Sequence, residues 1–253
     1  MKKEALRISI EKLVEEPYAS VICYPRPSKE TLKKRLEELK KLGVKALEFT
    51  GEKQAFNLPV LGKGCVGIVI IAYTDSEKAA LKIRRVDADR VQMQHEAEML
   101  RKANSVNVGP KLLCVSKNFL LMQFIDGFLF PDWLEKPKGK ARMVMVLREI
   151  LEQCWRLDKI GLDHGELSHA PKHVVINQKD APFIVDFETA SVNRKPSNVT
   201  SICQFLFIGG VVAEKVAGKL GEKDKKAPIE VLKNYKKGRT RENFERVLAV
   251  CGL

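Results

Sequence analysis

The stretch Leu58–Val86, LPVLGKGCVGIVIIAYTDSEKAALKIRRV, decides how the rest of the chain is read. Gly62, Gly64 and Gly67 spell G-x-G-x-x-G, a spacing shared by two unrelated phosphate-binding devices. The dinucleotide-binding device needs a helix straight after the glycines, so that the helix N-terminus meets the pyrophosphate. Here the glycines run into Ile68-Val69-Ile70-Ile71, a β-branched series that loses side-chain freedom in a helix and favours strand. The motif therefore reads as strand–turn–strand. That is either a glycine-rich flap over phosphates or an ordinary hairpin with flexible glycines.

The next strand narrows the choice. Lys82 lies in A-A-L-K-I between apolar neighbours, and a lysine among buried residues is costly unless its charge is paired. Fourteen positions on, the amphipathic segment Asp87–Asn104 offers Glu96, spaced with Met99 and Leu100 on one helical face. Glu98 competes for the role from another face of the same helix. Further along, D-H-G-E-L (Asp163–Leu167) follows a long helical pattern from about Lys140 to Lys159. Twenty residues past Glu166 comes I-V-D-F-E, where Asp186 closes an apolar strand and is placed to hold a metal. Each of these has an ordinary alternative: a capping carboxylate for Asp186, a solvated loop for His164 and Glu166. Their order along the chain, with strands between, is hard to explain by chance.

In that order, G-K-G-C-V-G-I-V, A-L-K-I, the inward Glu96, M-Q-F-I-D-G, H-G-E-L and D-F-E resemble the protein-kinase signature set. The chain is most similar to the compact RIO kinases and the small kinase of the KEOPS complex, which carry H-G-D-L where most kinases have H-R-D-L. The resemblance covers about Leu58 to Leu206. It implies ATP and Mg²⁺ as cofactors, with residues Gly62, Lys63, Gly64, Cys65, Val66 and Gly67 over the nucleotide. Lys82 would contact the α- and β-phosphates, held by Glu96. Val69 and Ala80 would sandwich the base, Met122 would back it, and Gln123 and Ile125 would offer it backbone groups. Asp186 would bind Mg²⁺, and Glu166 would stand in the place of the catalytic aspartate.

The chain departs from that pattern in three places. Glu166 replaces Asp, and Glu188 replaces the Gly after Asp186-Phe187. The metal-binding Asn is missing from a loop that is two residues longer, so His173 arrives where Asn is expected. Histidine is a poor Mg²⁺ ligand beside an oxygen donor, and Lys172 would supply positive charge instead. Asp163 is a substitute base.

The rest of the chain sets bounds. Its 253 residues are 45% hydrophobic and 30% charged, a globular composition, with a formal net charge of +13. That charge suits phosphate-rich partners, RNA or ribosomes among them, notably along Lys223–Arg241; a solvated Lys/Glu surface is the other reading. Cys23, Cys65, Cys114, Cys154, Cys203 and Cys251 show no C-x-x-C pair, and apolar runs around Cys114 and Cys203 suggest buried reduced thiols. The acid-bearing N-terminus is unlike a secretory signal, and the apolar run Phe205–Ala213 is too short to cross a bilayer, so a cytoplasmic protein is expected.

Tyr18–Tyr24 reads as a strand, Ser28 as the cap of a helix ending at Gly43, and Val44–Phe49 as another strand. The expected fold is α+β. A strand–helix–strand extension (1–57) precedes a strand-rich kinase N-lobe (58–127) and a helical C-lobe (128–253). The expected activity is transfer of the ATP γ-phosphoryl group to a Ser or Thr hydroxyl of a protein. An ATP-binding pseudokinase or ATPase-type switch is the first rival. A small-molecule kinase is the second, although the chain looks short of the substrate-binding insertion one would need.

Overall fold

A computed structural model describes residues 6–89, 93–137, 139–221 and 226–253. They form a mixed α+β structure in two compact units, one of residues up to 98 with 111–124, the other of 99–110 with 125–253.

In the first unit, β1 (Leu6–Ser9) leads through a 3₁₀ turn into α1 (Tyr18–Ile22) and α2 (Lys29–Lys41). Then come β2 (Ala46–Phe49), the hairpin β3 (Lys53–Ala55) and β4 (Leu58–Val60), β5 (Gly62–Lys63), β6 (Gly67–Tyr73) and β7 (Lys78–Arg84). The start of α3 (Gln94–Asn104) also belongs here, followed by β8 (Leu112–Val115) and β9 (Phe119–Gln123). One antiparallel sheet runs in the order β1-β2-β6-β7-β9-β8, with β5 added on β6. Residues 6–49 thus give the sheet two strands, β2 pairing directly with β6.

Tyr18–Tyr24 is not a strand. Residues 18–22 form α1, in which Ala19, Ser20, Val21 and Ile22 are all buried. A short apolar run buried on every side carries no period that separates strand from helix. Pro17, at the N-cap, favours the helical start because its missing N–H has no role there. The outer place in the sheet goes to Leu6–Ser9 instead. The cap on α2 is as read: Ser28 Oγ accepts from the Thr31 N–H at 3.2 Å. Leu39 is fully buried, with Leu32 and Leu36 packed beside it. Helix α3 begins at Gln94 rather than near Asp87; residues 90–92 of the expected helix lie outside the described ones.

Register sorts the sheet into two faces. Ile68, Ile70, Ala72, Ala79, Leu81, Ile83, Phe119 and Leu121 join one core with Leu13, Val21, Ile22, Leu39 and Phe49 from the first 57 residues. Alternation sends Val69, Ala80, Lys82, Leu120 and Met122 to the opposite face. Leu120 there packs with Met93 and Ala97 at the start of α3.

The second unit holds β10 (Gly127–Leu129), α4 (Phe130–Glu135) and α5 (Lys140–Lys159), the last with the bounds expected of it. Next are β11 (Val174–Asn177), β12 (Pro182–Ile184), α6 (Asn198–Cys203), α7 (Val211–Leu220), α8 (Lys226–Lys237) and α9 (Arg241–Cys251). Strands β10, β11 and β12 form a small antiparallel sheet. Asp158, buried near the end of α5, accepts from the Asn198 N–H at 2.9 Å, its Nδ2 at 2.8 Å and Tyr235 Oη at 2.9 Å. These bonds tie α5, α6 and α8 together.

All six cysteines are free, but only Cys23, Cys154, Cys203 and Cys251 are buried. Cys114 is exposed: β8 is the edge strand, and a register shift between Leu112 and Cys114 turns it outward. Cys65, in the glycine turn, is exposed too. Within the basic run, Leu232 and Tyr235 are buried while Lys233, Lys236 and Lys237 lie on the exposed face of α8; residues 222–225 lie outside the described ones. No single described helix is long and apolar enough to cross a membrane. The helix Asn198–Ile208 and α7 pass that test together only as a pair bent by 71°.

Candidate functional site

The glycine motif folds as a hairpin. β5 pairs with β6, and the Gly64 N–H donates to the Gly67 carbonyl at 2.8 Å. The Arg85 N–H donates to the Val66 carbonyl at 2.8 Å, fixing the turn against the end of β7. Gly67 is there for lack of a side chain: a Cβ would sit 2.8 Å from the Ile83 carbonyl oxygen and 3.3 Å from Lys82 Cγ. Lys63, Gly64 and Cys65 are exposed, leaving the turn open to solvent.

Lys82 and Glu96 meet as expected. Lys82 Nζ is 2.9 Å from both carboxylate oxygens, and the side chains are only 6% and 5% exposed. Glu98, the competing partner, is exposed. The pair forms because Leu81 and Ile83 point into the core, which sends Lys82 to the face it shares with Val69, Ala80 and Met122. Gln123, at the end of β9, gives its N–H to the Lys111 carbonyl at 2.8 Å. Ile125 is half-buried and falls in the second unit.

In the second unit the loop before β11 gathers a cluster. His164 is fully buried. Its N–H donates to Asn198 Oδ1 at 2.8 Å and its Nε2 to the Val185 carbonyl at 3.1 Å. Its ring packs edge-on against Phe187 and His173, with centroids 5.1 and 5.3 Å away. Burial, and then the neighbouring His173, push it down to about 4, so it is a neutral packing residue and not a solvated one. Gly165 has φ +93°, and a Cβ there would meet Arg194 Nη2 at 2.6 Å, so the turn requires glycine.

Glu166 and His173 touch: Glu166 Oε2 is 2.8 Å from His173 Nε2. The other ring nitrogen, Nδ1, is 3.8 Å from Asp186 Oδ2. Glu166, His173 and Asp186 each offer a ligand atom within 4.8 Å of the others. His173 does stand directly before a strand, as the longer loop implied. Asp186 lies beyond the end of β12 in a left-handed conformation, φ 70° and ψ 73°, and opens the 3₁₀ turn Phe187–Thr189 that carries Glu188. A non-glycine residue held at positive φ is strained, and such strain collects at working sites.

Asp163 stands apart from this cluster. Its side chain is 8% exposed and receives Arg194 Nε at 3.0 Å, the Ser197 N–H at 3.0 Å and Ser197 Oγ at 3.3 Å. Sequence reasoning missed the supporting residues Arg194, Asn198 and Thr189, whose Oγ1 donates to the His164 carbonyl at 3.0 Å. Asn198 carried one local signal, its place at a helix start. Nothing near it announces partners at Asp158 and His164.

Comparison with known proteins gives the setting of both groups. The RIO domain model matches residues 71–202, which hold Lys82, Glu96, Met122, Glu166, His173 and Asp186; the glycine turn lies just before the match. An uncharacterized protein of Methanocaldococcus jannaschii, MJ1211, is 30% identical over 118 residues, covering 46% of this chain and 99% of the relative. The chain belongs to the RIO domain family, a family of atypical protein kinases with a kinase-like fold that generally bind ATP.

Proposed function

We propose that this chain is an ATP-dependent phosphotransferase of the RIO-like serine/threonine protein kinase type. The observation that carries the reading is the buried Lys82–Glu96 pair, on the sheet face that also presents Val69, Ala80 and Met122. A buried lysine locked to a glutamate is a fixed positive charge, suited to hold a triphosphate. The exposed turn Lys63–Cys65 covers the phosphates with backbone N–H groups other than that of Gly64, which is committed to the Gly67 carbonyl. Val69 and Ala80 line the base and Met122 backs it. Gln123 offers its carbonyl, since its N–H is committed to Lys111, and Ile125 offers a backbone group.

Asp186 would hold the divalent cation, Mg²⁺ by the resemblance, which when bound neutralises charge on the triphosphate. Glu166 orients the attacking hydroxyl and takes its proton. His173 Nε2 lies 2.8 Å from Glu166 Oε2, which holds that carboxylate oxygen and leaves Oε1 for the substrate. Asp163 positions the loop through Arg194 and Ser197.

A second reading, an ATP-binding switch without transfer, is favoured by that same contact, since it engages one oxygen of the base. Transfer of labelled γ-phosphate, run beside calorimetric titration with ATP and ADP, separates the two. Glu166→Gln at saturating cation should keep nucleotide affinity and lose about 10²–10⁴-fold in transfer. Asp186→Asn should lose cation-dependent nucleotide binding as well. A Glu166→Gln variant as active as wild type removes the base from that residue.

A further inference from the structure

The imidazole of His173 is 1% exposed and sits between two carboxylates. At 2.8 Å from Glu166 Oε2, its Nε2 must carry a proton. Its Nδ1 does not. The Asp186 oxygen at 3.8 Å is too far for a hydrogen bond, and buried Nδ1 has no hydrogen-bond partner among the described residues. A nitrogen lone pair therefore faces a carboxylate oxygen. Two electron pairs in that position repel, and a cation between them turns the repulsion into two bonds. Ligands about 2.0–2.2 Å from one ion lie roughly 3–4 Å apart, a span that includes the observed separation.

We infer that His173 Nδ1 and Asp186 Oδ2 together ligate one divalent ion of the first transition row (Mn²⁺, Co²⁺ or Zn²⁺), with Glu166 gripping the far nitrogen of the ring. The inference rests on the proposed function only in making this ion the partner of the nucleotide. Mg²⁺ favours an all-oxygen shell and keeps its waters, whereas imidazole nitrogen suits the transition ions. A carboxylate on the second nitrogen is the usual support of a metal-bound histidine. It fixes the ring and raises the basicity of the ligating nitrogen. The longer loop thus replaces an oxygen ligand with a nitrogen one and changes the preferred metal.

The test is electron spin-echo spectroscopy of the full chain titrated with Mn²⁺ at neutral pH, with and without ADP, reading ¹⁴N coupling from a bound imidazole. Wild type should show that coupling, His173→Asn should lose it, and His169→Gln, at an exposed histidine, should keep it. Mg²⁺ in about 100-fold excess should fail to displace Mn²⁺ from wild type and should displace it from His173→Asn. Glu166→Gln should retain the coupling with about 10–100-fold weaker Mn²⁺ affinity. If His173→Asn misfolds, Asp186→Asn, on a half-exposed turn, removes the other ligand and must abolish Mn²⁺ binding in a chain that still unfolds cooperatively.

No ¹⁴N coupling in wild type under either condition, or coupling that survives His173→Asn, overturns the inference. ADP affinity in the same samples keeps the two claims apart. ADP binding with Mn²⁺ held by oxygen alone leaves the kinase reading standing and removes this one. Imidazole-bound Mn²⁺ without ADP or ATP binding does the reverse.

Discussion

Replacing Lys82 by Met tests the buried ion pair, and its cost follows from the burial of both partners. Nζ lies 2.9 Å from the Glu96 carboxylate, with both side chains almost wholly out of water. At an effective dielectric constant of about 20 their attraction is roughly 6 kcal/mol, much of it offset by desolvation of the two charges. The intact pair is therefore worth little net. Removing one member leaves a buried, uncompensated carboxylate, which costs about 3–5 kcal/mol. For a chain of this size that lowers the melting temperature by roughly 6–20 °C. Removing both charges, as Lys82→Met/Glu96→Leu, should restore most of the loss, because the partners are replaced by apolar groups of similar shape. Nucleotide affinity should be lost in the single and double variants alike. Scanning calorimetry and titration with ATP read the two effects separately. A double variant no more stable than Lys82→Met, or a single variant that melts with wild type, refutes the argument that burial sets the cost. Undiminished ATP binding in either removes Lys82 from the nucleotide site.

Three more outcomes are expected. Gly67→Ala forces a Cβ to within 2.8 Å of the Ile83 carbonyl, so it should destabilise by about 1–3 kcal/mol in urea titration and weaken ATP binding; neutrality on both counts contradicts the close approach. Asp163→Asn strips the charge facing Arg194 and should lower the melting temperature while leaving the pH profile of any phosphoryl transfer unmoved. A profile shift would instead give Asp163 a proton-transfer role. His164 has a folded-state pKa of about 4, below the 6.5 of the unfolded chain. The unfolded state thus takes the proton first, and stability present above pH 6.5 is lost as the pH falls towards 4, by about 3 kcal/mol for this residue. His164→Asn, measured by urea unfolding across that range, should flatten this part of the curve, and a parallel curve would discount the residue.

The strands and long helices were legible because each carries a one-sided pattern. Ile68–Ile71 alternates between two environments, and the long helix Lys140–Lys159 keeps an apolar stripe over its whole length. The Lys82–Glu96 pair was legible for a related reason: a charge placed between core residues must have a partner, and the next helix offered few. Reading failed where burial is uniform or an edge is involved. Helix α1 is buried all round, so its period vanished, and Cys114 looked like core because the register shift on β8 cannot be seen in the sequence. The bonds of Asp158 and Asp163 to residues 31–77 positions away are set by tertiary packing, and no local pattern encodes them.

The two departures in the catalytic loop bear on whether the site has decayed. Taken singly, Glu for Asp at 166 and His for Asn at 173 each look like the loss of a family residue. In the structure they are in contact, the added reach of Glu166 ending on Nε2 of the histidine that the longer loop delivers. An aspartate at 166 would end one methylene earlier, and an asparagine at 173 would offer no second ring nitrogen towards Asp186. Independent decay has no reason to produce two replacements that meet at 2.8 Å and converge on Asp186. Each change makes sense only with the other present, as expected of a loop adjusted to a different ligand set. On this argument Glu166→Asp alone should lower metal affinity rather than raise activity. Glu166→Asp/His173→Asn should then bind Mg²⁺ at least as tightly as His173→Asn does, whereas Glu166→Asp alone should not. If Glu166→Asp by itself speeds transfer, the glutamate is a weakened base and the coupled adjustment is wrong.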